Sequence, residues 1–132
     1  MKDKIISAIA NCLEQEESII FAYFFGSFPK EESYSDIDIG IYLKSEPAHP
    51  YTVTSELKSL ISRKLQEQGI PFIADKIDIV IINLLPFTFV HRIFREGTLI
   101  LDRNPELRAE LMEHNCIKMR ECLGIIKEAE IL

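Results

Sequence analysis

Asp36 and Asp38 stand two residues apart at the head of the apolar run Ile37-Asp38-Ile39-Gly40-Ile41-Tyr42-Leu43. In a strand, residues i and i+2 share a face, so the two carboxylates lie side by side while Ile37 and Ile39 turn to the other face. Like charges at this range repel unless a cation sits between them. A third acid, Asp78, interrupts a later apolar run, and Gly26-Ser27 ends an earlier one. Hard carboxylate oxygens suit Mg²⁺, which takes a few carboxylates and completes its shell with water and phosphate oxygens. A pair of such ions can align a hydroxyl with the α-phosphate of a nucleoside triphosphate and neutralise the departing pyrophosphate. Gly26 lets the backbone approach closely, and Ser27 offers a hydroxyl and an N–H to a phosphate oxygen. The chemistry implied is transfer of a nucleoside monophosphate group. Each feature alone is weak: an Asp at a strand start is often a turn residue, and Asp78 could merely pair with Lys76 or another cation. The argument rests on the combination of strand, Gly-Ser, short span, Ser-Asp-x-Asp, strand and a later strand acid.

Several elements must position these groups. Residues 2–17 read as a helix with Ile5, Ile6, Ile9 and Leu13 on one face and an acidic end that opposes the helix dipole. Residues 19–25, apolar on both faces, fit a central strand. Residues 36–43 form a second strand, joined to the first too closely for a long crossover, so an antiparallel pair is expected. Residues 51–68 form a helix stopped by Gly69 and Pro71. Residues 76–83 read as a strand. Pro86 opens a short helix to about Glu96, with Phe87, Val90, Ile93 and Phe94 inward and Gly97 as its stop. Thr98 to Leu101 fit an edge strand. Asn104-Pro105-Glu106 is a helix start, leading to a long helix that ends near Glu128. The order predicts an α+β fold, with a mixed three- to four-stranded sheet packed with helices and a long C-terminal helix.

The chain of 132 residues is expected to be a single domain, 1–132, with 47% hydrophobic and 27% charged residues. A net charge of −6 argues against a broad electrostatic grip on nucleic acid. Cys12, Cys116 and Cys122 match no ligand or redox spacing and read as reduced, mostly buried thiols. Met1-Lys2-Asp3-Lys4 leads into an amphipathic helix without a signal-peptide pattern, and no apolar run is long enough to span a bilayer. A cytoplasmic protein with no membrane partner is expected.

Gly26-Ser27 followed by Ser35-Asp36-Ile37-Asp38-Ile39 resembles the signature of the nucleotidyltransferase superfamily that includes DNA polymerase beta. The short length, the single sheet domain and the stretch Arg95-Glu96-Gly97-Thr98-Leu99-Ile100-Leu101-Asp102 resemble one branch, the minimal nucleotidyltransferases. These serve as MntA-type antitoxins beside a helical HEPN-domain RNase toxin, HepT. The resemblance covers nearly the whole chain. It implies a catalytic and metal-binding triad of Asp36, Asp38 and Asp78, with Gly26 and Ser27 on the nucleotide phosphates. It further implies ATP with Mg²⁺ as substrate, AMP transfer to a tyrosine hydroxyl of the toxin, and a hetero-oligomer with that toxin. Ser35 and Lys30 complete the expected nucleotide contacts.

The chain departs from the pattern in one place. Family members commonly carry an Arg-Gly element after Gly-Ser and a longer span before Ser-Asp. Here the span is Phe28-Pro29-Lys30-Glu31-Glu32-Ser33-Tyr34, in which Lys30 is the only cation left to face a triphosphate. The alternative expectation is an antitoxin that inhibits by binding alone. A transferase for a small-molecule hydroxyl is a third reading, against which the chain has little room for an acceptor domain. Arg108 and His114 superficially match the Arg-(x)n-His element of HEPN RNases. They read instead as a charged helix surface, and His91 with Arg92 likewise. Phe21, Tyr23, Phe24 and Phe25 read as core packing.

Overall fold

A computed structural model describes residues 2–28, 36–70 and 76–131, with side chains as far as residue 124. The chain begins with helix α1 (Lys2–Glu14), followed by strands β1 (Ile19–Phe25) and β2 (Ile37–Leu43). Helix α2 (Pro50–Glu67) crosses to strand β3 (Ile77–Ile81), and a short 3₁₀ turn (Ile82–Leu84) leads to helix α3 (Phe87–Glu96). Strand β4 (Thr98–Asp102) and the long helix α4 (Pro105–Ile131) complete it. The sheet order is β3-β2-β1-β4. β1 runs antiparallel to both β2 and β4, whereas β2 and β3 are parallel. The antiparallel β1–β2 pair, the central position of β1 and the edge position of β4 all follow the sequence expectation. Among the described residues no helix is long and apolar enough to cross a membrane.

Strand alternation divides the core between the two faces of the sheet. Ile37, Ile39 and Ile41 of β2 and Ile77, Ile79 and Ile81 of β3 are buried with Ile5, Ile9 and Leu13 of α1 and Leu57, Ile61 and Leu65 of α2. On the opposite face Phe21, Tyr23, Ile82 and Ile93 form a second cluster, flanked by Tyr42, Phe89, Phe94 and Leu111 of the α3–α4 side. The carboxylates of Asp38 and Asp78, which alternate with the buried isoleucines, therefore belong to the α3 face. Gly40 lies between Asp38 and Tyr42 on that face. A Cβ there would stand 3.2 Å from Ile82 and 3.5 Å from Ile93, so its absence lets α3 settle close to the sheet beside Asp38.

Two element ends differ from expectation, each set by a long-range side-chain contact. Helix α1 stops at Glu14 rather than continuing to residue 17. Its last turn holds no basic residue. Arg103, just past β4, supplies the missing cation: its Nη1 donates to the carbonyls of Glu16 (2.6 Å) and Ile19 (2.8 Å), and its Nη2 to that of Glu14. The Glu14 carbonyl, which the helix end leaves without an intrahelical partner, is thereby satisfied from 89 residues away, and the same guanidinium ties the start of β1 to it. Strand β3 ends at Ile81, two residues short, because Asn83 turns aside to imitate a strand. Its Nδ2 donates to the Leu43 carbonyl (3.0 Å), and its Oδ1 accepts from the Leu43 N–H (2.9 Å). Asn83→Ala leaves both backbone groups of Leu43 unpaired and is expected to lower unfolding free energy by about 1–3 kcal/mol, read from denaturant melts. The thiols also depart from expectation: Cys12 is buried, Cys122 is half-buried and Cys116 is exposed on α4. All three are free, and burial pushes the Cys12 thiol pKa upward.

The expected helix signals hold. The Leu107 N–H donates to Asn104 Oδ1 at 3.0 Å, the bond of an N-cap. At the end of α2, Gly69 has φ +78°, and the N–H groups of Gly69 and Ile70 donate to Gln66 and Leu65, a Schellman closure.

Candidate active site

The parallel pairing of β2 with β3 places Asp38 directly beside Asp78 in register, between the pairs Ile37–Ile77 and Ile39–Ile79. On the other side, Asp38 faces Phe25, the last residue of β1 and the neighbour of Gly26. Asp36 precedes β2 by one residue and is exposed; Asp38 is half-buried and Asp78 exposed. The structure thus brings Gly26, Asp36, Asp38 and Asp78 to one end of the sheet. Ser27, half-buried, follows immediately. Lys30 and Ser35, the remaining expected nucleotide contacts, lie outside the described residues.

Asp38 carries the electrostatic load of this corner. Burial first, then the charges of Asp78 and Asp36, hold its pKa above the ordinary value of 3.8. The sequence expectation that three acids converge is met in register and charge but not in compactness. Among the described residues, no three His, Cys, Asp or Glu side chains are spaced to hold a single ion. Repulsion between uncompensated carboxylates opposes a closer approach, and Lys58 of α2 stands 3.9 Å from Asp78 Oδ1. Asp78 is exposed and the distance is long, so the pair contributes little to stability. Two carboxylates in register with a third nearby, all hard oxygen donors at a sheet end, fit divalent cations whose remaining ligands come from phosphate and water.

Gly26 is required on two counts. Its φ is +74°, and a Cβ there would lie 2.4 Å from Asp38 Oδ2. Gly26→Ala is therefore expected to cost about 1–2 kcal/mol of stability through the left-handed backbone alone. It must also displace the Asp38 carboxylate. Nucleotidyl transfer is expected to fall about 10²-fold, the scale of a 1 Å misplacement, measured as initial rate at saturating substrate.

A cleft of about 150 Å³ opens between this corner and α3, walled by Phe25, Gly26, Asp38, Phe89, Arg92 and Glu96. Phe25 is half-buried at its edge, meeting Phe89 edge-on with centroids 5.8 Å apart, so it is a wall of the cleft as well as core packing. The Arg92 guanidinium lies over the Phe89 ring at 5.6 Å. Sequence reading passed over Arg92 as a helix-surface residue. It shares no motif with the aspartates, and only its i, i+3 spacing from Phe89 could have hinted at a common face. The described residues supply cations of their own, Lys58 beside Asp78 and Arg92 in the cleft with Asp38. Larger clefts lie elsewhere; one of about 300 Å³ is walled by Tyr42, Asn83, Phe94, His114 and Lys118, away from the acids. Arg108 is committed to an ion pair with Asp102 and takes no part in an Arg–His site with the exposed His114.

A family model described as polymerase beta, nucleotidyltransferase matches residues 7–106, a span that holds every described member of this corner. Among curated proteins none matches at a significant level. Solved structures share the fold. One, a Shewanella oneidensis tri-AMPylated HEPN toxin in complex with MNT antitoxin, gives a TM-score of 0.69 at 18% identity, covering 99% of this chain and 96% of that one. A toxin–antitoxin structure with AMP-PNP gives 0.69 at 17% identity, covering 96% and 94%. The toxin–antitoxin MntA-HepT gives 0.67 at 16% identity, covering 98% and 95%. With the family signature spread over most of its length and its acids in register at the end of a mixed four-stranded sheet, the chain belongs to the polymerase beta nucleotidyltransferase family.

Proposed function

We propose that this protein transfers AMP from ATP to a tyrosine hydroxyl of a partner HEPN-family RNase toxin and thereby neutralises it. The observation that carries the reading is the in-register pair Asp38–Asp78 with Asp36 alongside, one strand from the Gly26-Ser27 turn. The family supports nucleotidyl transfer as the reaction. Solved structures of the same fold include a tri-AMPylated HEPN toxin with its MNT antitoxin and a complex with AMP-PNP, which supports ATP as donor and a HEPN protein as acceptor.

Asp36, Asp38 and Asp78 would hold Mg²⁺, which supplies Lewis-acid stabilisation of the charge that builds on the α-phosphate and the leaving pyrophosphate. Gly26 and Ser27 hold the phosphates with backbone N–H and hydroxyl groups. The tyrosine oxygen forms a bond to the α-phosphorus. The bond from that phosphorus to the bridging oxygen breaks, and pyrophosphate leaves with the electron pair. Asp78, on the outer side of the acid pair, would accept the phenolic proton, directly or through water. The acids lie on an open sheet end beside α3, where a protein side chain can reach them.

Incubation with labelled ATP, Mg²⁺ and the partner toxin tests this. Label is expected on the toxin with the parent protein and not with Asp36→Asn/Asp38→Asn. Equal labelling by that variant, or no labelling by either protein, overturns it.

A further inference from the structure

We infer that Arg92 of α3 is the side chain that binds the leaving end of the nucleotide's triphosphate, a role no motif near Gly26-Ser27 assigns. The inference rests on the nucleotide-transfer reading and adds a phosphate ligand to it. Arg92 walls the same cleft as Gly26 and Asp38, and among the described residues that wall it, it is the only cation. The cleft lies on the β1 side of Asp38, whereas Asp78 lies on the β3 side. The acceptor hydroxyl belongs beside Asp78, so the Gly26 side is left for the phosphates that depart. A tetra-anionic nucleotide entering a corner of three carboxylates, in a chain of net charge −6, needs cationic contacts beyond its metal ions.

Arg92 is prepared for that contact. Its guanidinium rests over the Phe89 ring at 5.6 Å, and Phe89 is itself held edge-on by Phe25. The cation–π contact takes up no N–H donor in a hydrogen bond, so the guanidinium keeps its edges for a bidentate phosphate bond. Among the described residues it has no salt-bridge partner; the pairs there are Lys58–Asp78, Lys64–Glu67 and Arg108–Asp102. An exposed arginine seated over an aromatic ring, without an ion-pair partner among the described residues and in the same cleft as Asp38, is arranged for a ligand's anion. It also sits where the sequence, lacking an arginine in residues 28–34, provides none from the turn itself.

The test compares ATP with AMP, since only ATP carries the β- and γ-phosphates. Affinities of a non-hydrolysable ATP analogue and of AMP are measured in Mg²⁺ by displacement of a fluorescent nucleotide. The proteins are the parent, Arg92→Ala, Arg92→Lys and Phe89→Leu, each checked for an unchanged melting temperature. Arg92→Ala is expected to weaken the ATP analogue about ten- to a hundredfold, the scale of charge-assisted hydrogen bonds, with AMP unchanged. Arg92→Lys and Phe89→Leu are expected to fall between. An unchanged ATP-analogue affinity in Arg92→Ala, or an equal loss for AMP, overturns the assignment. A parent that binds neither nucleotide overturns the transfer reading on which it stands, an outcome distinct from the others.

Discussion

Asp38→Asn is expected to abolish nucleotidyl transfer while making the metal-free protein more stable. The rate is expected to fall by roughly 10³-fold or more. On the proposed reading the variant removes one of the three carboxylates that would hold Mg²⁺, several kcal/mol of transition-state stabilisation would go with it, and each 1.36 kcal/mol is a factor of ten. The gain in stability comes from the same carboxylate. Asp38 is partly buried between Asp78 and Asp36, and its pKa is raised by burial and then by those two charges. Below the ordinary value of 3.8 both folded and unfolded chains hold this proton. As pH rises through the window between that value and the raised folded one, the folded state retains the proton that the unfolded chain gives up, so the parent loses stability. Above the window the penalty is constant. Asparagine carries no such proton, so the variant's advantage opens as pH rises from about 4 and is complete at neutral pH. Burial and the facing like charges together make this a small effect, on the order of 0.2–1 kcal/mol for a partly exposed group, a shift of a few degrees in Tm. Thermal melts of parent and variant in a chelator, at acid and neutral pH, measure it. A variant less stable than the parent at neutral pH contradicts the electrostatic account of this corner.

The largest purely structural effect is expected at Arg108→Ala. Arg108 Nε lies 2.9 Å from Asp102 Oδ2, and the side chains are only 23% and 15% exposed. Its Nη1 donates to the Tyr23 hydroxyl at 3.2 Å, joining α4 to the central strand. The other Asp102 oxygen is buried and without a hydrogen-bond partner among the described residues. Removing the guanidinium strands a carboxylate that already lacks one partner, at an expected cost of about 3 kcal/mol. Replacing both members, Arg108→Met with Asp102→Asn, is expected to recover most of that loss, because it removes the buried charge instead of orphaning it. Denaturant melts of the single and double variants check this, and a double variant no more stable than Arg108→Ala contradicts it. Transfer measured well below the melting temperature should be unchanged, since this pair takes no part in the acid corner.

Much of the site was legible because it obeys local rules. The period-2 placement of Asp36 and Asp38 against Ile37 and Ile39 fixes a shared face, and Gly-Ser followed so soon by an apolar run forces an antiparallel return. The third acid was harder. That Asp78 interrupts an apolar run can be seen in the chain, but its seat beside Asp38 depends on a parallel pairing reached through α2. The polar contacts that set element ends were invisible for a different reason. Arg103 reaches Glu14 across 89 residues and Asn83 reaches Leu43 across 40, and neither belongs to a pattern with a period. Arg92 was hidden in the same way: α3 presents it to the carboxylates only because Gly40 admits Ile93 against the sheet.

Proposed AMP transfer is read from the intact mass of a candidate HEPN toxin before and after incubation with this protein, ATP and Mg²⁺. A gain of one or more AMP units is expected, lost with Asp36→Asn/Asp38→Asn although the complex still forms. An unchanged toxin mass while the toxin is nonetheless inhibited would contradict it and leave an antitoxin that acts by binding alone.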